Sequence, residues 1–335
     1  MANYVSPTGT AHTAYGGEAA LAELRKFADL KLNEAFKLQD THNEDYTNVS
    51  KFTMPIDPGK RTEGHFPVFG TTAPAKEWMG EMTYQKFRVA EKIAKIQKWY
   101  IGQGFDRDDL EDEYGGLLKD KIPEMSVRAK QWEISEWTKY ICAGDGTHFG
   151  HTALGHALFA NDHTWGDSGD NDNLIGAVAN TLSGIQTGFQ SAMRMLLIMT
   201  DDHGQPLPPP SGGYTIMCHP IRQELMRQFL NANYFPVPDA AGGATDNIYR
   251  GAADLWVNPW LATEIATRST KHLTTSLTWW VFRNDTVVKP ICMLDREAPW
   301  TEVDYHQNQE TYEYKLCFRR KMDYWNWLGA IQIGG

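Results

Sequence analysis

Leu21, Leu24, Ala28, Leu32 and Phe36 recur at helical spacing between Ala19 and Leu38, behind a lead rich in Gly, Thr and Ser. That pattern predicts one amphipathic helix on an N-terminal arm. From Tyr46 to Thr72 the signals change to short β-type pieces broken by Pro55, Pro58, Gly59, Gly64, Pro67 and Gly70. Such a composition prevents a long helix and predicts an extended, projecting segment. Between Glu77 and Gly102 two periods compete, because Val89, Ile93, Ile96 and Tyr100 fit a helix while Met82 and Tyr84 alternate as in a strand. Periodicity alone leaves that stretch open.

Ile122, Met125, Ala129, Trp132 and Tyr140 mostly follow a spacing of three or four, and Pro123 suits a first helical turn. A long helix is therefore predicted over 122–142, stopped by Ala143-Gly144-Asp145-Gly146, where glycine takes a left-handed conformation readily. A second amphipathic helix is predicted from Leu182 to Met199 through Ile185, Phe189, Ala192 and Leu196, ended by Asp201-Asp202-His203-Gly204 and the stiff Pro206–Pro210 turn. Tyr214–Cys218 reads as a short buried strand, and His219-Pro220 leads into a helix through Leu225, Phe229 and Leu230. Leu277–Phe282 and Val287–Leu294 flank Arg283-Asn284-Asp285-Thr286, which predicts a hairpin with Pro290 placing the second strand at an edge or bulge. Near the end Tyr312, Tyr314, Leu316 and Phe318 share one face of a strand, with Glu313, Lys315 and Arg319 on the other. No internal repeat is visible.

The chain has 335 residues, enough for about two ordinary domains. Hydrophobic residues at 41% and charged residues at 22% indicate a folded, soluble protein. A formal net charge of -10 disfavours a general nucleic-acid binder, which needs surplus basic side chains to neutralise phosphates. The most apolar stretch, Met195–Met199, falls far short of the roughly 20 residues that span a bilayer, so no membrane partner is expected. The polar start, Met1–Gly17, carries no export pattern, so the protein is expected to stay where it is made. Cys142, Cys218, Cys292 and Cys317 form no CxxC pair and read as reduced, mostly buried thiols.

His148, His151, His156, Asp162 and His163 supply the strongest catalytic temptation, since imidazoles and a carboxylate close in sequence are transition-metal ligands. A soluble metallohydrolase using His148, His151 and His163 is the competing functional class. The spacing is not that of HExxH, and Gly146, Gly150 and Gly155 keep the segment from holding a regular helix, so a polar loop with local hydrogen bonds is the simpler reading. Asp167, Asp170 and Asp172 loosely match a calcium loop, but Val178 stands where the twelfth-position glutamate belongs, which favours a solvated turn. No phosphate-cradling loop and no serine elbow are present, so neither a cofactor nor an enzymatic activity is expected. The aromatic load is unusual, with 12 Trp, 14 Tyr and 14 Phe, including Trp78, Trp99, Trp256, Trp260, Trp279, Trp280, Trp325 and Trp327. More than half of these are expected to fill the chain's own core. A projecting segment broken by Pro and Gly is not expected to bury Phe66, Phe69 and Trp78 alone, which calls for a neighbouring molecule.

The order of segments resembles the major capsid proteins of tailed bacteriophages with the HK97-type fold, and more closely the Mu-type major head subunits. Phe66-Pro-Val-Phe-Gly70 followed by Lys76-Glu77-Trp78-Met79-Gly80-Glu81 is similar to that family's aromatic-Gly turn before a Glu-Trp-x-Gly-Glu run. Arg107-Asp108-Asp109-Leu110-Glu111-Asp112 resembles its acidic element before the long helix. Leu182-Ser183, Met193-Arg194 and Asp202-His203-Gly204-Gln205-Pro206-Leu207 resemble the helix and turn that follow, with Glu224-Leu225 where the next helix begins. Asn258-Pro259-Trp260-Leu261, Trp279-Trp280 and Lys289-Pro290 are similar to its later strands, and the Arg319 strand and Tyr324-Trp325 close the chain. The likeness covers roughly residues 60 to 335.

The resemblance implies an α+β protein: an N-terminal arm (1–44), an extended loop (45–98), a peripheral domain with a long spine helix and a β-sheet (99–165 and 288–335), and an axial domain (166–287). By that analogy the stretch from Val89 to Tyr100 resolves as strand. The implied function is structural: many copies form pentamers and hexamers of an icosahedral shell around double-stranded DNA, without sequence-specific binding, in a virion assembled in the host cytoplasm. Phe66, Phe69, Glu77, Trp78 and Glu81 become candidate inter-subunit contacts. Further implied partners are a portal, a separate scaffolding protein and decoration proteins; the short arm argues against a fused internal scaffold. An encapsulin-like nanocompartment shell is the alternative within the same fold, and a monomeric α+β binding protein is a third.

Overall fold

The computed structural model describes residues 4–5, 11–12, 44–59, 61–72, 74–75, 88–106, 115–236, 244–268, 275–284, 289–306 and 311–334. In chain order the elements begin with β1 (Tyr4–Val5), β2 (Ala11–His12), α1 (Glu44–Lys51), β3 (Thr53–Ile56), β4 (Glu63–Phe69), β5 (Val89–Lys95) and β6 (Gln97–Asp106). The middle of the chain gives α2 (Gly115–Cys142), β7 (Leu174–Ile175), α3 (Leu182–Ile198), β8 (Tyr214–Cys218), α4 (Gln223–Asn231), β9 (Tyr234–Pro236) and β10 (Ala244–Asp246). The last elements are β11 (Ala253–Val257), α5 (Trp260–Arg268), β12 (Trp279–Arg283), β13 (Ile291–His306), β14 (Thr311–Tyr324) and β15 (Ala330–Ile333).

The chain divides into two compact units, one drawn from Met1–Thr47, Ile96–Glu133 and Asp295–Arg320, the other from Asn48–Lys95, Ile134–Leu294 and Lys321–Gly335. The larger unit is built on a five-stranded mixed sheet in the order β11-β8-β12-β15-β7. Every residue of β8, β12 and β15 is buried. Strands covered on both faces read as unbroken apolar runs, which is why Tyr214–Cys218 and Trp279–Phe282 show no alternation. Helix α3 is capped by the Thr181 side chain, which accepts from Gly184 N, and it buries Ile185, Gly188, Phe189, Ala192 and Leu196. Gly188 lets the helix approach closely, because a Cβ there would crowd the Trp279 ring at 2.9 Å. Aromatic rings fill the core: Trp137 lies 5.1 Å from Trp256 and 5.8 Å from Phe282, and Phe52 stacks on Phe282 at 4.8 Å. Truncating a buried ring of this size to Ala costs about 3–5 kcal/mol.

The smaller unit packs Ala129, Leu316 and Phe318 against Trp99, Ile101, Met125 and Trp132. Strand β14 runs antiparallel to β6 from Thr311↔Asp106 to Arg320↔Gln97, within a four-stranded sheet ordered β3-β13-β14-β6. Arg320 ties the helix to the sheet here: it pairs with the buried Glu133 and donates to Asp295 Oδ2 at 2.7 Å.

Several expectations are met. The stretch from Val89 onward is strand, α3 and β8 lie where their patterns place them, and the strand expected through Tyr312–Arg319 is β14. Others need correction. Helix α2 begins at Gly115, so Pro123 stands inside it instead of at its first turn, withdrawing one main-chain donor. Glu44–Lys51 is helix rather than β-type, with acidic residues in its first turn and Lys51 in its last, both favourable to the helix dipole. Asn258-Pro259-Trp260-Leu261 is similar to a strand in sequence but starts α5, since the Asn258 side chain accepts from Trp260 N at 3.0 Å. The hairpin expected across 277–294 does not form: β12 pairs with β8 and β15, whereas β13 joins the other sheet and runs parallel to β3. Pro290 precedes β13, so the strand keeps a neighbour on each side. The expected helix over 19–38, the acidic element 107–112, and residues 76–87 lie outside the described residues.

Candidate assembly surface

Strands β4 and β5 form a seven-pair antiparallel hairpin, from Glu63↔Lys95 to Phe69↔Val89. Period-two alternation gives its two faces different fates. Gly64, Phe66, Val68 and Ala94 are buried, while Glu63, Pro67, Phe69, Val89, Glu91, Ile93 and Lys95 are exposed. Gly64 is required on the inner face, because a Cβ there would overlap the Leu294 side chain. Lys92 is the charged residue of that inner side. Its ammonium pairs with Asp323, donates to His151 O at 2.6 Å, and lies 5.6 Å from the centre of the Tyr324 ring.

The candidate contact residues therefore separate. Phe66 is 0% exposed and enclosed by its own chain, which corrects the expectation that it needs a neighbour: the segment lies against the body instead of standing clear of it. Phe69, three positions on, is 62% exposed and faces Val89 across the strands. Glu77, Trp78 and Glu81 lie outside the described residues. Val89 and Ile93, which the sequence offered only as part of a helical period and not as contacts, complete an outward apolar row with Phe69. Their alternation with Glu91 and Lys95 was the available signal. Elsewhere in this unit Leu197, Ile198, Ile221, Tyr234 and Ile248 are also exposed.

The histidine segment is architectural. His163 is fully buried, stacked on Trp327 at 4.4 Å, with Nδ1 3.2 Å from Asn171 O and Nε2 2.9 Å from Ala157 O. Both ring nitrogens thus face main-chain carbonyls and neither is open to a metal. Burial pushes its imidazole below the ordinary histidine value, against the opposing pull of the two carbonyls. His156 reaches Thr164 Oγ1 at 3.4 Å, and among the described residues no three His, Cys, Asp or Glu side chains converge on a metal position. All four cysteines are buried and none forms a disulfide; burial pushes Cys218 up to about 12 and Cys292 well above its ordinary value.

The family model of the Mu-like prophage major head subunit gpT matches residues 29–189. That match supports reading the chain as a phage major capsid protein. Its fold is the HK97 fold of solved phage capsids: the capsid of the cyanophage P-SCSP1u superposes with a TM-score of 0.56 at 12% identity, over 84% of this chain and 86% of that one. The capsid of Ralstonia phage GP4 gives 0.56 at 10% identity, with the same two coverages. The capsid of a native GTA particle gives 0.52 at 9% identity, over 86% of this chain and 90% of that one. No curated protein matches. The match and the fold together support a structural capsid component rather than an enzyme.

Proposed function

We propose that copies of this chain build a closed icosahedral shell, of pentamers and hexamers, around double-stranded DNA. The observation that carries the reading is the two-faced β4–β5 hairpin: one face is committed to its own subunit, and the other offers Phe69, Val89 and Ile93 to a neighbour. A contact between two different surfaces of identical copies closes into rings when the rotation permits. In this reading residues 45–98 are the loop that carries the contact: the outward face of its hairpin meets the next subunit, with Glu77, Trp78 and Glu81 adding contacts. Residues 99–165 with 288–335 form the peripheral domain, and 166–287 form the axial domain. The net charge of -10 gives a lining that does not grip DNA, which favours both packing and release. A portal, a separate scaffolding protein and decoration proteins are the proposed partners, with assembly in the host cytoplasm.

Deleting Glu63–Trp78 from the expressed chain and imaging the product by negative-stain microscopy tests the loop's role. Unaltered shells from the deleted chain would refute it. Nuclease-resistant DNA inside full particles supports a genome container; an enclosed protein cargo instead would make the shell a nanocompartment.

A further inference from the structure

At the end of the hairpin where β4 connects to β5, three chain segments converge on one residue in the turn that follows α3. Asp202 is fully buried, and its Oδ1 accepts from Thr71 N at 2.8 Å and from Thr71 Oγ1 at 2.7 Å. Its main-chain carbonyl accepts from Arg88 Nη1 at 2.5 Å and from Asp167 N at 3.0 Å. Arg88 also donates through Nη2 to Asp167 Oδ2 at 2.8 Å, and Thr71 Oγ1 lies 2.8 Å from Asp201 Oδ2. His203 Nε2 approaches Thr71 O at 3.3 Å. Thus both ends of the connection from β4 to β5, at Thr71 and at Arg88, are fastened to the same turn.

Two glycines make room for this arrangement. A Cβ on Gly70 would overlap Asp202 Oδ2, and one on Gly166, whose φ is +64°, would overlap the Arg88 guanidinium. Among the described residues Asp202 Oδ2 is buried without a hydrogen-bond donor, its nearest basic group being His203 Nε2 at 3.8 Å. An undonated buried carboxylate oxygen weakens a fold, so packing alone gives no reason for an aspartate at this position.

We propose that Asp202 is the positioning residue of the β4–β5 hairpin, a polar clamp that fixes Thr71 and Arg88, the two points where the connection between the strands begins and ends. This rests on the assembly reading above. A loop that must meet a surface on the next copy needs a fixed point of departure, because ordering it only at contact would cost conformational entropy at every interface.

The test uses the full chain with Asp202→Ala, which removes the acceptor, and Asp202→Asn, which keeps Oδ1 as an acceptor. Hydrogen exchange of peptides covering Phe69–Ala75 is measured in the unassembled subunit, and shell yield by electron microscopy. The expected result is at least a tenfold faster exchange at Thr71 and a tenfold lower shell yield in D202A, with D202N close to wild type. Wild-type exchange in D202A, or normal shells despite faster exchange, overturns the clamp. A wild-type chain that forms no shells refutes the assembly reading instead, and the exchange contrast still judges the hydrogen bonds. Should D202A fail to fold, Arg88→Met replaces it, since that side chain is partly exposed, and the same two readouts apply.

Discussion

The ammonium of Lys92 is paired with the carboxylate of Asp323, 231 positions further along the chain, and both groups are largely withdrawn from water. The pair fastens the inner face of the β4–β5 hairpin to the end of β14. Asp323 Oδ1 also accepts from Tyr324 N, so the carboxylate is held from two sides. Removing one member of a buried pair strands the other. Lys92→Met is expected to cost about 3–5 kcal/mol in urea unfolding, and combining it with Asp323→Asn is expected to recover part of that loss. Additive losses in the double-mutant cycle would show that the two groups do not act together.

Phe66 and Phe69 lie on opposite faces of one strand and their replacement should separate folding from assembly. Phe66→Ser is expected to destabilise the subunit by about 3–5 kcal/mol, as for a buried aromatic. Phe69→Ser is expected to leave subunit stability within about 0.5 kcal/mol while abolishing shells. Thermal melts and sedimentation velocity on the same preparations check both, and a shell-forming F69S chain would count against the outward face.

His163 links stability to pH. Its folded-state pKa is lowered, so below about pH 6.5, the ordinary histidine value, the unfolded chain takes up a proton that the native imidazole resists. Stability is therefore complete above that pH and falls as pH drops through the lower folded-state value. Denaturant midpoints measured from pH 8 to pH 5 should show a smaller decline in His163→Gln than in wild type. Parallel curves would remove His163 as the source.

Arg222 is 1% exposed, and its Nε, Nη1 and Nη2 have no hydrogen-bond partner among the described residues. Burial pushes its pKa down, against the smaller opposing effect of the neighbouring Cys218. An unpaired buried guanidinium costs stability, and Arg222→Met keeps the apolar stem without the charge. A gain of about 1–3 kcal/mol in the isolated subunit is expected from chemical denaturation. A loss would mean that the guanidinium is compensated in solution.

Much of the core was legible because its signals are local. Tyr214–Cys218 is an unbroken apolar run, and Ile185, Phe189, Ala192 and Leu196 mark one helical face. The failed hairpin at 277–294 marks the limit: turn-like residues between two apolar runs resemble a tight connection, but β12 has two better partners distant in sequence, β8 and β15. Pairing is decided by burial on both faces, and a turn motif carries no information about that. The assembly surface was half legible for the same reason. Alternation places Phe66 and Phe69 on opposite faces, but only Leu294 and Asp323, supplied from far along the chain, decide which face is covered. The Asp202 clamp joins residues about 130 positions apart, and no spacing rule reveals it.

The four enclosed cysteines leave the native subunit without an accessible sulfhydryl, and for Cys218 and Cys292 burial also keeps the nucleophilic thiolate scarce at neutral pH. A single cysteine introduced on an exposed position would then be the one maleimide address per copy, so a dye, a lipid or a folded cargo could be attached at uniform density without first stripping native thiols.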